Sequence, residues 1–448
     1  MKKILISILL VLMFLLSGCA GTPAEAPDGD YFIRLDRDYV DLVDGEEVSV
    51  AVAEFTKDGA AADPAYLRYA SADTNIVSVE GGKLKGVGVG ETSVTVSCKN
   101  ASVTLSVRVW EYASSDDMTS NSVQTYGRTY TQDGGIVVDN VNSGIGFAFY
   151  GTQCKISIMN IYGASYVRYY VDEDTEGARV LLSGVGQRTY TFAKELEKGV
   201  HRIRIMKATE QNFYAKYSFR FDEIETGEDC VLLNRFREDP KKEKLKIDFY
   251  GDSITAGEGN LIESPSAEIT VANSDGTQTY AAFTAAALGS ESSFVGYGGI
   301  TVKARKWNGQ EYTMFEIWNW YSTFNQTKYS IDPDTDFVVI NLGTNDAAAY
   351  GSGTNADKSK KFAEDYRAML DAMTAVYTKA KFVLCYGMMG TEPFIDLGIQ
   401  RVIKDLPGKA YYCSLPSNTD GAGRHPSVAG HRAAAETLTA FIQELLGN

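Results

Sequence analysis

"KIDFYGDSITAGEGN", residues 246–260, decides how the rest of the chain is read. It opens as a strand and then turns sharply at "YGDS". Gly251 permits a tight backbone, and Asp252 is a residue type that folds back on nearby amides. Ser253 therefore follows a strand by one turn, next to a helix N-terminus whose free N–H groups favour a developing anion. Such a serine is either a nucleophile or a helix cap. It is not the G-x-S-x-G elbow, because Thr255 stands where the second glycine would be. That elbow also follows several strands, whereas Ser253 follows the first of its domain.

Downstream, strands and helices alternate. "TYAAFTAAALG" reads as helix, "SFVGYGG" as strand and "DFVVINLG" as a near-continuous apolar strand covered on both faces. Phe362, Tyr366, Met369, Leu370, Met373 and Tyr377 recur at helical spacing. "KFVLCYGM" is a strand, "FIDLGIQRVIKDL" a helix and "KAYYCSL" a strand. A last helix runs from about 426 to 446. This order predicts a parallel sheet with helices on both faces. Ligands on such sheets bind beyond the carboxyl ends of the strands.

A serine hydroxyl needs a base to attack a carbonyl. The chain has three histidines. His201 shares the parity of Ile203 and Ile205 in another β-rich block, which faces it to the interior, and it reads as a satisfied core histidine. His425 precedes Pro426, so it is held extended just before the last helix, while His431 lies inside that helix and reads as a packing residue. His425 is the candidate base. An oxyanion hole needs donors as well. The Asn345 amide in "NLGTNDA" is one candidate, or else a residue that holds its turn. Gly296, Gly298 and Gly299 in "FVGYGGIT" offer unobstructed backbone N–H groups, or mark close backbone packing.

The blocks "GDSIT", "GYGGIT", "GTND" and "HPSVAGH", each after a predicted strand, resemble those of the SGNH, or GDSL-type, hydrolases over 244–448. That resemblance implies a flavodoxin-like three-layer α/β fold. Ser253 would be the nucleophile and His425 the base. The oxyanion hole would be the Ser253 amide, the Gly299 amide and the Asn345 side chain, with Gly298 adjacent to the glycine position. Together with the β-rich block before it, the segment resembles carbohydrate esterase family 2, acetylxylan esterase-like enzymes that remove acetyl groups from sugars. One position departs from the pattern. The aspartate usual three residues before the histidine is Ala422 here, and Asp420, five before, is the candidate third member of a triad. The family also includes Ser–His dyads. Trp307, Trp318 and Trp320 are candidates for the substrate cleft, although Phe315 and Trp318 also fit the spacing of a core helix.

Upstream, residues 115–232 read as short strands separated by Gly, Asp and Asn, a sandwich or jelly roll. Residues 30–112 read as all-β. Val103, Leu105, Val107 and Val109 alternate with Thr104, Ser106 and Arg108, and "SADTNIVSVEGGKLKGVGVGETSVTV" resembles the bacterial immunoglobulin-like group 2 module. At the start, Lys2 and Lys3 precede an apolar run ending in "LSGC", which looks like a lipoprotein signal. Residues 1–18 would then be the leader, Cys19 the lipidated residue and 19–29 a tether. The expected location is the outer face of a membrane in the cell envelope. The five other cysteines lack zinc-site spacing, and their odd number leaves them mostly buried thiols with room for a disulfide. A net charge of −15 argues against nucleic acid and anionic lipid heads as partners.

The expected protein is a monomeric serine esterase acting on acetylated carbohydrate without metal or cofactor. Alternatives on the same scaffold are a lipid or acyl-thioester esterase, an acyltransferase, or a surface adhesion protein whose hydrolase domain is inactive.

Overall fold

The computed structural model describes residues 25–209, 217–234, 244–304 and 311–447. The expected leader, Cys19 and Trp307 lie outside the described residues. The chain falls into two compact units, Met1–Trp110 and Glu111–Asn448.

The described part of the first unit is all β apart from one short 3-10 turn at Pro64–Tyr66. Its four-stranded sheet runs Tyr39–Val43, Ala101–Trp110, Gly90–Cys98, Arg68–Ser71, and two three-stranded sheets complete it. Alternation along Ala101–Trp110 buries Leu105, Val107 and Val109 against Leu42, Val77, Leu84 and Val94. Polar Thr104 and Ser106 face outward, as period-two patterning requires.

The second unit opens with two antiparallel sheets. Phe147, Phe149, Ile203 and Ile205 of one sheet meet Ile156, Ile158, Phe219 and Phe221 of the other in a common core. The two rings of Phe219 and Phe221 meet edge to face at 5.2 Å.

The parallel sheet follows, and its elements are numbered on their own. The strands are β1 (Lys246–Gly251), β2 (Glu291–Gly296), β3 (Phe337–Asn341), β4 (Lys381–Tyr386) and β5 (Ala410–Ser414). The helices are α1 (Ser253–Ala256), α2 (Tyr280–Leu288), α3 (Met314–Ile317), α4 (Asp346–Ala349), α5 (Asn355–Thr374), α6 (Pro393–Lys404) and α7 (Val428–Gly447). The sheet order is β2-β1-β3-β4-β5, all parallel. Alternate residues point to opposite layers. Ile247, Phe249, Phe337 and Val339 pack under α2 and α7, while Tyr250, Val338 and Ile340 pack under α5 and α6. Burial on both faces explains why these strands read as apolar runs rather than alternating ones. The chain leaves β1 toward one edge for β2 and returns past it for β3, so the switch point, where such sheets bind ligands, lies beside β1.

The sandwich and the parallel domain share one interior. Val141, from a sandwich loop, is buried in the same core as Phe249 and Leu438. Arg128 is fully buried between them. Its guanidinium donates to the carbonyls of Trp318 (2.8 Å) and Trp320 (2.7 Å) and to the Tyr250 hydroxyl (2.6 Å). It also lies over the ring of Tyr329. Tyr250 is hydrogen-bonded to Tyr377 at 2.5 Å, and Tyr377 donates to Asp248. Elsewhere on the junction Asn142 donates to the Gly276 carbonyl (2.6 Å), and Arg168 and Arg179 pair with the buried Asp275.

All five described cysteines are buried and free. His201 is half-buried and satisfied: Nδ1 pairs with Asp172 and Nε2 with the Glu197 carbonyl, each at 2.8 Å. These contacts hold its protonated form, so its pKa is raised above the ordinary histidine value.

Candidate active site

The site is assembled at the carboxyl ends of three neighbouring strands. Gly251 of β1 is in register with Gly296 of β2 and Asn341 of β3. Ser253 comes two residues after the first, Gly299 three after the second and Asn345 four after the third. Their turns therefore cluster at one edge of the sheet.

Around Ser253 the local structure is set by its neighbours. Asp252 is the N-cap of α1, and its Oδ1 accepts from the Ile254 N–H at 3.0 Å. Ser253 is the first residue inside the helix, so its hydroxyl has no capping role. A Cβ at Gly251 would stand 2.0 Å from Thr255 Oγ1, which excludes any other residue there.

His425 arrives from the far edge of the sheet. Its Nε2 lies 2.8 Å from Ser253 Oγ, and both residues are buried. Two backbone bonds place the loop. Ala422 N–H donates to the Gly259 carbonyl (2.8 Å) and Val428 N–H to the Asn260 carbonyl (2.9 Å). Gly259 has φ +66°, and a Cβ there would meet the Ala422 oxygen at 2.6 Å. Just past α1, the segment carrying Glu258, Gly259 and Asn260 is thus the seat of the histidine loop.

The other ring nitrogen answers the triad question. His425 Nδ1 is buried with no hydrogen-bond partner of good geometry. The carbonyls of Ala422 and Gly423 act on the ring and favour its protonated form, but burial outweighs them and lowers the pKa below the ordinary histidine value. Asp420 does not reach it. Asp420 is exposed, and its carboxylate accepts from Asn418 Nδ2 at 2.7 Å. The candidate third member is therefore corrected: the intervening "GAG" loop turns Asp420 outward. A carboxylate does approach from elsewhere, with Glu258 Oε2 at 3.9 Å from His425 Nε2. His431 is fully buried in α7. Its Nδ1 accepts from the Tyr280 N–H at 3.0 Å, and desolvation pushes its pKa down to about 3.

Asn345 points into the cluster rather than capping its own helix. Its Nδ2 donates to the Ile300 carbonyl at 3.0 Å and makes a longer contact of 3.4 Å to Asp252. The first bond fixes the amide; the second is weak and leaves that hydrogen free to turn toward an incoming oxyanion. Gly299 has φ +75° in the turn that supplies Ile300, and Tyr297 N–H ties this turn to the Gly251 carbonyl at 3.2 Å.

The tryptophans are placed otherwise than the cleft expectation. Trp318 is buried in the α5/α6 core beside Tyr377, so the core-helix spacing was its true meaning. Trp320 is half-buried, edge-on to Tyr312 at 5.3 Å. It lines a small cavity with Asn140, Tyr297 and Tyr321, and neither Ser253 nor His425 borders that cavity. Among the described residues no group of three or more His, Cys, Asp or Glu side chains is placed to hold a metal.

A buried serine paired with a neutral imidazole, beside amide donors at a switch point, is the equipment of acyl transfer through a serine ester. These features define a hydrolase of the SGNH type. Residues 249–433 match the model of the GDSL-like Lipase/Acylhydrolase family, and residues 125–233 match the Carbohydrate esterase 2 N-terminal model. The two matches, one on each half of the second unit, make the chain similar to carbohydrate esterase family 2. It is 28% identical over 319 residues to Cellulase/esterase CelE of Acetivibrio thermocellus, covering 68% of this chain and 37% of that protein. The chain thus spans little more than a third of that relative's length. Among solved structures it resembles a family two carbohydrate esterase from Clostridium thermocellum in complex with cellohexaose. The TM-score is 0.64 at 25% identity, covering 72% of this chain and 99% of that one. A family 2 enzyme with a carbohydrate-binding domain from Corynascus thermopiles (Myceliophthora fergusii) gives 0.62 at 25%, covering 73% and 100%.

Three features of the site had weak signals in the sequence. Glu258 sits between two glycines just past the serine turn, and that was its only mark. The Ile300 carbonyl and the seat at Gly259 and Asn260 are backbone roles, which residue identity does not announce.

Proposed function

We propose that the chain is a serine esterase that removes O-acetyl groups from carbohydrate. The observation that carries this reading is the 2.8 Å Ser253–His425 pair set at the switch point of a family 2 fold. Ser253 Oγ attacks the acetyl carbonyl while its proton passes to His425 Nε2. The amides of Ser253 and Gly299 and the Asn345 side chain hold the oxyanion. The C–O bond to the sugar breaks, His425 returns the proton to the leaving hydroxyl, and an acetyl-enzyme remains. Water then repeats the sequence, releasing acetate. Ser253→Ala should lower acetate release from acetylated xylan or mannan by roughly 10⁴-fold or more, with binding of the polymer kept. Wild-type rates in that variant would refute the mechanism.

The sugar is proposed to be neutral, since a chain of net charge −15 repels polyanions. We place the protein at the outer face of a membrane, held by lipid on Cys19. The all-β unit, immunoglobulin-like in its sequence pattern, would serve there as a spacer. Metabolic labelling with a palmitate analogue, lost in Cys19→Ala, tests that placement.

A further inference from the structure

The serine–histidine pair lacks the acid that usually backs the base, yet the base is buried. Among the described residues, no carboxylate is hydrogen-bonded to His425 Nδ1, and the backbone carbonyls of Ala422 and Gly423 are what favour the charged ring. Asp420 faces solvent and is held by Asn418. On the opposite side of the ring, Glu258 Oε2 stands 3.9 Å from Nε2, and its side chain is 10% exposed.

From this geometry we propose that Glu258 supplies the negative charge that stabilises the His425 imidazolium, in place of the missing triad aspartate. The placement is not incidental to the loop. Glu258 N–H donates to the Ser253 carbonyl at 3.0 Å, and the next residue, Gly259, accepts from Ala422 of the histidine loop. One short segment therefore fixes nucleophile, base and carboxylate together.

The step balances simply. The Ser253 O–H bond breaks as its oxygen bonds to the acyl carbon, and the proton moves to Nε2. Glu258 lies off the proton's path between Ser253 Oγ and His425 Nε2 and takes no proton in the step. A charge about 4 Å away and shielded from water interacts far more strongly than the same charge in bulk solvent. Because Glu258 lies on the Nε2 side, it acts on the charge of the ring and does not hold its tautomer. The inference rests on the esterase reading of the same site.

The groups around His425 are few. Ser253 and Glu258 face it from the nucleophile block. His431 of α7 lies near enough to feel it but is neutral, being depressed to about 3. Arg424, one residue before, is exposed. Among the described residues, Glu258 is thus the acidic group that approaches the ring.

The test is the pH profile of kcat/KM on p-nitrophenyl acetate for the full chain and for E258Q, with E258D as the conservative variant. Removing the charge should lower the plateau by about tenfold or more. It should also move the acid limb down by about one pH unit, because the imidazolium loses its counter-charge. E258D should recover part of both effects. A plateau that falls with no movement of the limb would mean a purely structural role and would overturn the proposal. So would a limb that moves in D420N and not in E258Q. If the esterase reading itself fails, wild type and variant alike will show no Ser253-dependent turnover, a distinct outcome.

Discussion

Ser253 is free to react because Asp252 takes the capping duty at the start of α1. That division of labour between adjacent residues was invisible in the quoted stretch, where either residue type makes a good cap. The convergence of Ser253, Asn345 and His425 was legible because each is a specific residue type placed after a strand. The orienting partner of His425 was not, because chain spacing does not report whether a loop turns a carboxylate inward or out. Two outcomes belong to this scale. Asn345→Ala should lower kcat by roughly 10²–10³-fold with KM little changed, since the amide acts on a charge that exists only after attack. The pH profile of kcat/KM should rise through a value below the ordinary histidine 6.5, because burial disfavours charged His425. An acid limb at or above 6.5 in the free enzyme would contradict that environment.

At the level of elements, the histidine loop is stitched to the serine turn by Gly259 and Asn260 rather than by the sheet. Gly259→Ala should therefore cut activity more than stability. The φ of +66° and the 2.6 Å clash displace the loop, while both cores stay intact. The check is kcat beside the thermal midpoint. A variant with full activity would show that the loop has another anchor. The βα alternation was readable because strands covered on both faces appear as apolar runs bounded by glycine turns. The tryptophan segment was not, since aromatic residues at helical spacing serve a core and a sugar cleft equally well. Trp318 took the core.

The whole second unit behaves as one body in this architecture. Arg128→Met leaves the Trp318 and Trp320 carbonyls without their donor, and it should cost about 3–5 kcal/mol in denaturant unfolding. Sandwich and parallel sheet should still unfold in a single transition. Two separate transitions in the wild-type chain would argue against the shared interior. None of this junction was legible in the sequence, because Arg128 meets partners more than a hundred residues away. Stability should also depend on pH in opposing ways. His431, depressed to about 3, contributes stability that is lost as pH falls from about 6.5. Asp252 and Asp346 are fully buried, with pKa values raised to about 7 and about 8. They bind protons more tightly folded than unfolded, so their contribution is lost as pH rises from about 4 through those values. Asp346→Asn keeps an acceptor for the Val302 N–H and should flatten the decline in thermal midpoint between pH 5 and 8. An unchanged slope would place the cause elsewhere.

The knot around Arg128 also constrains how such a chain drifts over evolutionary time. A guanidinium, two tyrosine hydroxyls and an aspartate form a chain of dependence from Arg128 to Tyr250, Tyr377 and Asp248. No member can be exchanged alone without stranding a buried polar group. Lineages that lose the arginine should show compensating changes at the tyrosines. Recombination that swaps one half for a distant cousin's should fail unless both sides of the knot travel together.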